Sequence, residues 1–307
     1  MSLLVVGSVA LDSVETPFGK HERILGGSAT HFSVAASYFT SVNLVAVVGN
    51  DFPNSHLELF KKRQIGLEGL EKQTGPTFHW KGKYEYDLNQ AITLQTQLGV
   101  FESFDPKIPS SLKQPEYLFL ANIDPRLQYK VLQQMSTRPK LVALDTMNFW
   151  IQNSLEDLKK IMAKIDLLII NEGEARQITG ESNLMKAWRK IATLGPKTLI
   201  VKRGEYGAIM FQDGHVFSAP ALPLEEIKDP TGAGDSFAGG VMGYLARLQA
   251  TDWNTLKQAI IFGSAMASFN VEDFSCQRIV SLSLEEINQR AQGFYHLASF
   301  ESDLLDK

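Results

Sequence analysis

The stretch that decides the fold is DPTGAGDSFAGGVM, residues 229–242. Asp229-Pro230 opens a turn, because proline fixes φ and keeps the preceding residue out of the helical region. Gly232-Ala233-Gly234 follows, three small residues that let a backbone come close to another group. From Phe237 to Leu248 the apolar residues recur at helical spacing. The small residues therefore sit at a helix N-terminus, where unpaired N–H groups and the positive end of the dipole favour an anion. Asp235 falls in the first turn, beside that anion site. An acid beside an anion hole, and not inside it, suits a base acting on a group that attacks a phosphate. A glycine-rich loop with a helix cap reads the same over so few residues. The rest of the chain weighs toward chemistry.

Outside the stretch, composition narrows the field. A chain of 307 residues permits one large α/β domain with an appendage. A net charge of −4 argues against a nucleic-acid or anionic-membrane surface. The single cysteine, Cys276, excludes a disulfide framework or a cysteine zinc site within one chain and fits a reducing, cytoplasmic setting. No apolar run approaches membrane-spanning length, and the N-terminus reads as a strand and not as a signal peptide. No repeat, low-complexity tract or Pro/Gly linker interrupts the sequence, so residues 1–307 read as a single unit.

The 229–242 stretch resembles the second signature of the ribokinase-like (PfkB) family of carbohydrate and nucleoside kinases, across all its positions. The resemblance implies that Gly232, Ala233 and Gly234 form the anion hole for the transferred phosphate and that Asp235 is the catalytic base. Nothing in the chain reads GxxxxGK[ST], and Phe237 stands where a dinucleotide fingerprint needs its third glycine.

Residues 3–6 form a short apolar run ending at Gly7, as a buried parallel strand does. Asp12 lies past the carboxyl end of that strand, where open α/β sheets place ligands; a turn acid would look the same. Gly26-Gly27 opens a helix over 29–38, followed by a strand over 43–48. This segment resembles the family's first signature, which implies that Asp12, Gly26 and Gly27 hold substrate hydroxyls. His31 stands at the family's usual Asn position and either contacts substrate or packs on the sheet. The departure counts against a plain ribokinase or fructokinase.

Residues 77–98 mix aromatics and charges with partial alternation. With 11–25 they are expected to make a small antiparallel β-sheet lid. The resemblance implies that the lid covers the sugar and could pair across a homodimer. Trp80, Tyr84 and Tyr86 could stack on a substrate or form the lid's own core.

From residue 116 the pattern is regular. Strands at 117–120, 141–144, 167–170 and 198–201 alternate with helices at 128–135 and 155–163, which predicts βαβ units and a doubly wound, mostly parallel sheet flanked by helices. Asn122 and Asp124, Asp145 and Asn148, and Asn171 and Glu174 follow successive strand ends, on the ligand edge of such a sheet. Asn171-Glu172-Gly173-Glu174 resembles the family's N-x-x-E element, linked to magnesium and phosphate; it also fits a capping box. Lys202 and Gly204 fall in the segment that, by resemblance, closes over the nucleotide. A hairpin is expected over 208–217, long helices over 253–269 and 284–294, and a frayed acidic tail at 301–307. By resemblance Asn270 and the loop after it border the adenine and help to hold a monovalent cation, K⁺, although VEDFSC matches no familiar loop of the family.

These readings converge on an ATP- and Mg²⁺-dependent kinase of a small sugar or sugar-like substrate. A nucleoside kinase would share the catalytic residues and differ only in the pocket. A nucleotide-binding regulator without activity would not need Asp235. As a base, a carboxylate of ordinary pKa (about 4) would take its proton late in the transfer.

Overall fold

The structure, a computed structural model, describes residues 3–299; the acidic tail at 301–307 lies outside them. The strands are β1 (Leu3–Val6), β2 (Ala10–Thr16), β3 (Gly19–Gly26), β4 (Val42–Gly49), β5 (Gly66–Gln73), β6 (His79–Tyr84), β7 (Ala91–Gln97), β8 (Tyr117–Leu120), β9 (Leu141–Leu144), β10 (Leu167–Asn171), β11 (Thr198–Lys202), β12 (Ala208–Gln212) and β13 (His215–Ala219). Among the described residues they form a nine-stranded sheet, β13-β12-β11-β10-β9-β8-β1-β4-β5, and a four-stranded sheet, β3-β2-β6-β7. In the large sheet only the β11–β12 and β12–β13 pairs are antiparallel.

Both faces of the large sheet are covered, so its strands are apolar at every position. In β1, Leu3 and Val5 belong to one core while Leu4 and Val6 belong to the other. On the first face Phe32 stacks on Phe119 with ring centroids 4.2 Å apart. The helix Ala233–Leu248 lies here between Ser28–Ala36 and Trp253–Asn270. A Cβ on Gly239 would come within 2.4 Å of the Phe32 carbonyl oxygen, and one on Gly240 within 2.8 Å of Gly263 Cα. The small face of this helix thus lets three backbones touch and fixes the position of its N-terminus.

The chain adds β4 and β5 on one side of β1, then crosses to β8 and builds outward on the other. The strand order therefore reverses at β1, and the crevice opens at the carboxyl ends of the strands there. The small sheet stands over that edge. Its β6–β7 pair is antiparallel, as the pattern of 77–98 reads, and its central pair, β2 and β6, is parallel. Each strand enters it from the same edge of the large sheet, β2 after β1 and β6 after β5, so the two run the same way.

Boundaries shift where caps act. The helix expected at 128–135 is Pro125–Gln133, started early by Asp124 accepting from Arg126 N–H with proline at the first turn. A short helix, Asn148–Asn153, was not foreseen. No helix among the described residues is long and apolar enough to cross a membrane.

Candidate active site

Gly232 adopts φ +77° and ψ 0° and caps the helix Ala233–Leu248. A side chain there would be strained, and its Cβ would lie 2.3 Å from the ring of His31. Asp235 stands in the first turn, half-buried. The structure narrows the expected anion hole. Ala233 N–H donates to the Pro230 carbonyl at 3.1 Å, a tight first-turn bond, which leaves the N–H groups of Gly232 and Gly234 for an anion.

Three neighbouring strands deliver the charges beside it. Asp145 follows β9, Asn171 ends β10 and Lys202 ends β11. The Lys202 ammonium lies 3.3 Å from Asp145 Oδ2. It also lies 3.0 Å from where a Cβ on Gly234 would stand, so it reaches the anion loop and is not a solvated surface cation. Asn171 and Glu174 form a complete capping box: Glu174 N–H donates to Asn171 Oδ1 and Asn171 N–H to Glu174 Oε2, both at 2.8 Å.

One ammonium thus faces three carboxyls. Burial and the charge of Asp145 push Asp235 up to about 7, against the pull of Lys202. Glu174 is pushed up to about 7 by burial and by Asp145 and Asp235, with Lys202 and the Asn171 N–H opposing. Burial also raises Asp145, with Lys202 opposing. Burial alone would lower Lys202, but Asp145, Glu174 and Asp235 together hold it above its ordinary value. Asp235 is therefore a stronger base than the ordinary carboxylate expected from sequence.

The opposite end of the crevice is built around Asp12, which is 6% exposed and has no partner for Oδ1. A Cβ on Gly26 would lie 1.9 Å from Asp12 Oδ2, so only glycine fits against this carboxyl. Gly27 caps the helix Ser28–Ala36 with φ +96°. Burial, joined by the charges of Asp229 and Asp235, pushes Asp12 up to about 7, although the N–H groups of Gly27 and Trp80 draw it down.

His31 and Asn270, given to substrate and nucleotide on the sequence, are drawn under the catalytic loop. Asn270 is 1% exposed; its Nδ2 donates to the Thr231 carbonyl at 2.8 Å, and its Oδ1 accepts from Ser236 Oγ at 3.0 Å. Its polar atoms hold the loop 231–236. His31 Nδ1 lies 3.1 Å from Asn270 Oδ1 and 3.4 Å from Cys276 Sγ. Burial lowers His31 to about 4, leaving a neutral ring whose buried Nε2 has no partner. Burial pushes the Cys276 thiol up to about 12, so it stays unreactive.

On the far side of Asp235 lies a cleft of about 770 Å³, lined by Lys202, Gly204, Gly234, Phe237, Ser264 and Ser268. The tip of the small sheet, residues 86–89, closes one wall. Gly204 has φ +55°, and a Cβ there would lie 2.0 Å from Asn89 Oδ1. Sequence reasoning missed this use of Asn89 and gave Asp145 no role, although its place after a strand end was the available signal. Of the aromatics singled out, Tyr84 is buried and its Oη lies 3.4 Å from Thr231 Oγ1. Trp80 lies across Gly82, and Tyr86 is 89% exposed beside the cleft.

The model of the pfkB family carbohydrate kinase matches residues 12–282. A cytidine kinase of Thermococcus kodakarensis is 29% identical over 254 residues, covering 80% of this chain and 89% of that protein. A nucleoside kinase of Methanothermobacter thermautotrophicus is 28% identical over 294 residues, covering 90% and 91%. The fold is that of the crystal structure of Methanocaldococcus jannaschii nucleoside kinase, an archaeal member of the ribokinase family. That structure is similar with a TM-score of 0.77 at 23% identity, over 95% of this chain and 98% of the other.

Proposed function

The chain belongs to the pfkB family of carbohydrate kinases, and on that premise we propose that it transfers the γ-phosphoryl group of ATP to a hydroxyl of a small sugar or sugar-like polyol. The observation that carries this reading is Asp235, a carboxyl of raised pKa one turn from an αL glycine and beside a half-buried ammonium. The acceptor oxygen attacks the γ-phosphorus, its proton passes to the Asp235 carboxylate, and the bond to the departing ADP oxygen breaks. The N–H groups of Gly232 and Gly234 and the Lys202 ammonium stabilise charge on the transferring group. Alignment supplies much of the rest of the rate.

The cleft volume suits a nucleotide. Asp145, Glu174 and Asp235 carry more negative charge than Lys202 offsets, which fits a divalent cation. Mg²⁺ would be held by Glu174, through water, together with the phosphates, and would supply charge neutralisation there. Asp12, with its free Oδ1, accepts acceptor hydroxyls against Gly26 and Gly27; His31 Nε2 is the ring atom left for a further contact. We place the protein in the cytoplasm, as one catalytic unit over 1–307 with the lid inserted from about 11–25 and 77–98. Strand β7 is exposed along its whole length, with Ile92 and Leu94 outermost, which supports a homodimer through the lid.

A nucleoside acceptor is the second reading, favoured by the names of the relatives above. Trp80, on the lid near Asp12, is then the residue to stack on a base. The test is acceptor-dependent ADP release across pentoses, hexoses, ketohexoses, inositols and nucleosides at saturating Mg·ATP. Turnover of a sugar or polyol, lowered at least tenfold in kcat/KM by Asp12→Ala, is expected. Preference for a nucleoside over every sugar would overturn the ranking.

A further inference from the structure

The charges around Asp12 restrict the acceptor further. Resting on the reading that the acceptor lies between Asp12 and the lid, we propose that it is uncharged: a free sugar, polyol or nucleoside, and not a sugar phosphate, a nucleotide or a sugar acid. Strand alternation sorts the lid side chains onto two faces. The face toward the catalytic loop is identified by its contacts. Thr16 Oγ1 donates to the Lys228 carbonyl at 2.8 Å, Tyr84 meets Thr231, and Val14 and Tyr84 pack with Phe274, joined by Ile24 and Trp80. This face carries apolar, aromatic and hydroxyl groups.

The cations take the other face or are engaged elsewhere. His79, Lys81 and Lys83 alternate with Trp80, Gly82 and Tyr84 along β6. His79 Nε2 lies 2.9 Å from Ser13 Oγ, on the far face of β2. Lys81 stands opposite Ser13 in the register, on the same face, and Arg23 N–H donates to Ser13 Oγ at 3.1 Å. Arg23 sits in a bulge at φ +52° and pairs with Asp51 at 2.6 Å. Lys83 pairs with Glu85 and Lys20 with Glu22. Beneath the lid, Lys228 pairs with Asp273, and Arg278 with Glu272 and Glu286. Lys202 is held at the nucleotide end by Asp145. His21 is exposed and lies against Phe274, with centroids 4.2 Å apart.

The acceptor end thus presents Asp12, with Asp229 and Asp235 acting on it, while the cations of the lid and of the loops beneath it are paired elsewhere or lie on its far face. A phosphate or carboxylate held against the buried Asp12 would meet like charge away from bulk water, where repulsion is costly. Neutral hydroxyls would instead satisfy the unpartnered Asp12 Oδ1.

Matched pairs test this with the full chain: ribose against ribose 5-phosphate, fructose against fructose 6-phosphate, glucose against gluconate, and cytidine and adenosine against their 5′-monophosphates. Initial rates of ADP release are measured at saturating Mg·ATP and pH 8, above the ordinary imidazole range. The neutral member of each active pair should exceed the charged one by about a hundredfold or more in kcat/KM. A charged member turned over as well as its neutral partner, or better, would overturn the inference while leaving phosphoryl transfer intact. Turnover of neither series would refute the kinase reading itself, and the inference with it. ADP release in the first case and none in the second tells the two failures apart.

Discussion

Asp235→Asn should weaken the enzyme and strengthen the fold, and the two effects come from one environment. Removing a general base should lower kcat by roughly 10²–10⁴. The stability change follows from the pKa. Burial and Asp145, opposed by Lys202, move the Asp235 carboxyl from 3.8 to about 7. At about 1.4 kcal/mol per pH unit, ionising it in the folded state at pH 8 costs at most about 4 kcal/mol. The residue is only half-buried, so water recovers part of this, and about 1–3 kcal/mol is expected. The sign is fixed by linkage. Between about pH 4 and 7 the unfolded carboxyl is ionised while the folded one still holds its proton, so the parent loses stability as pH rises through that window. Asparagine, neutral throughout, has no such loss. In urea unfolding, Asp235→Asn should therefore be more stable than the parent by about 1–3 kcal/mol at pH 8, and by less than that at pH 5. The parent's kcat/KM should fall as pH drops below about 7. A variant no more stable than the parent at pH 8, a gain equal at both pH values, or a rate within threefold of the parent would refute the reasoning.

Other perturbations probe the neighbouring groups. Glu174→Gln should raise the Mg²⁺ concentration for half-maximal rate severalfold and change acceptor KM less; an unchanged Mg²⁺ titration would leave Glu174 only its capping role. Gly204→Ala forces a side chain into φ +55° and onto Asn89, so KM for ATP should rise roughly tenfold. Asn89→Ala in that background should restore part of it, and an unchanged KM would separate the lid tip from the nucleotide. The loops that a monovalent cation would bridge are already joined by Asp229 accepting from Ser275 N–H and by Lys228 N–H donating to the Val271 carbonyl. Replacing K⁺ by tetramethylammonium should therefore change kcat/KM by less than about threefold; a tenfold loss would establish a cation site there.

The sequence by itself determined the large sheet, most of its strands and the catalytic loop. Those features are local: a buried strand announces itself as an apolar run, and the proline turn, αL glycine and first-turn acid of 229–242 lie within a few residues of one another. Tertiary structure decided what those residues meet. Asp145 and Lys202 are 57 positions apart and become an ion pair because β9 and β11 flank β10. His31 and Asn270 are 239 positions apart and meet because the helix Ser28–Ala36 and the end of Trp253–Asn270 both pack against the helix that carries Asp235. The motif positions of these two residues pointed to ligands, and their burial also joins them to each other beneath the loop. The same holds for the lid, whose alternation was legible but whose direction was not. Only the contacts of Thr16 and Tyr84 with residues 228–231 show which face looks inward, because period-two alternation separates two faces without saying which is covered.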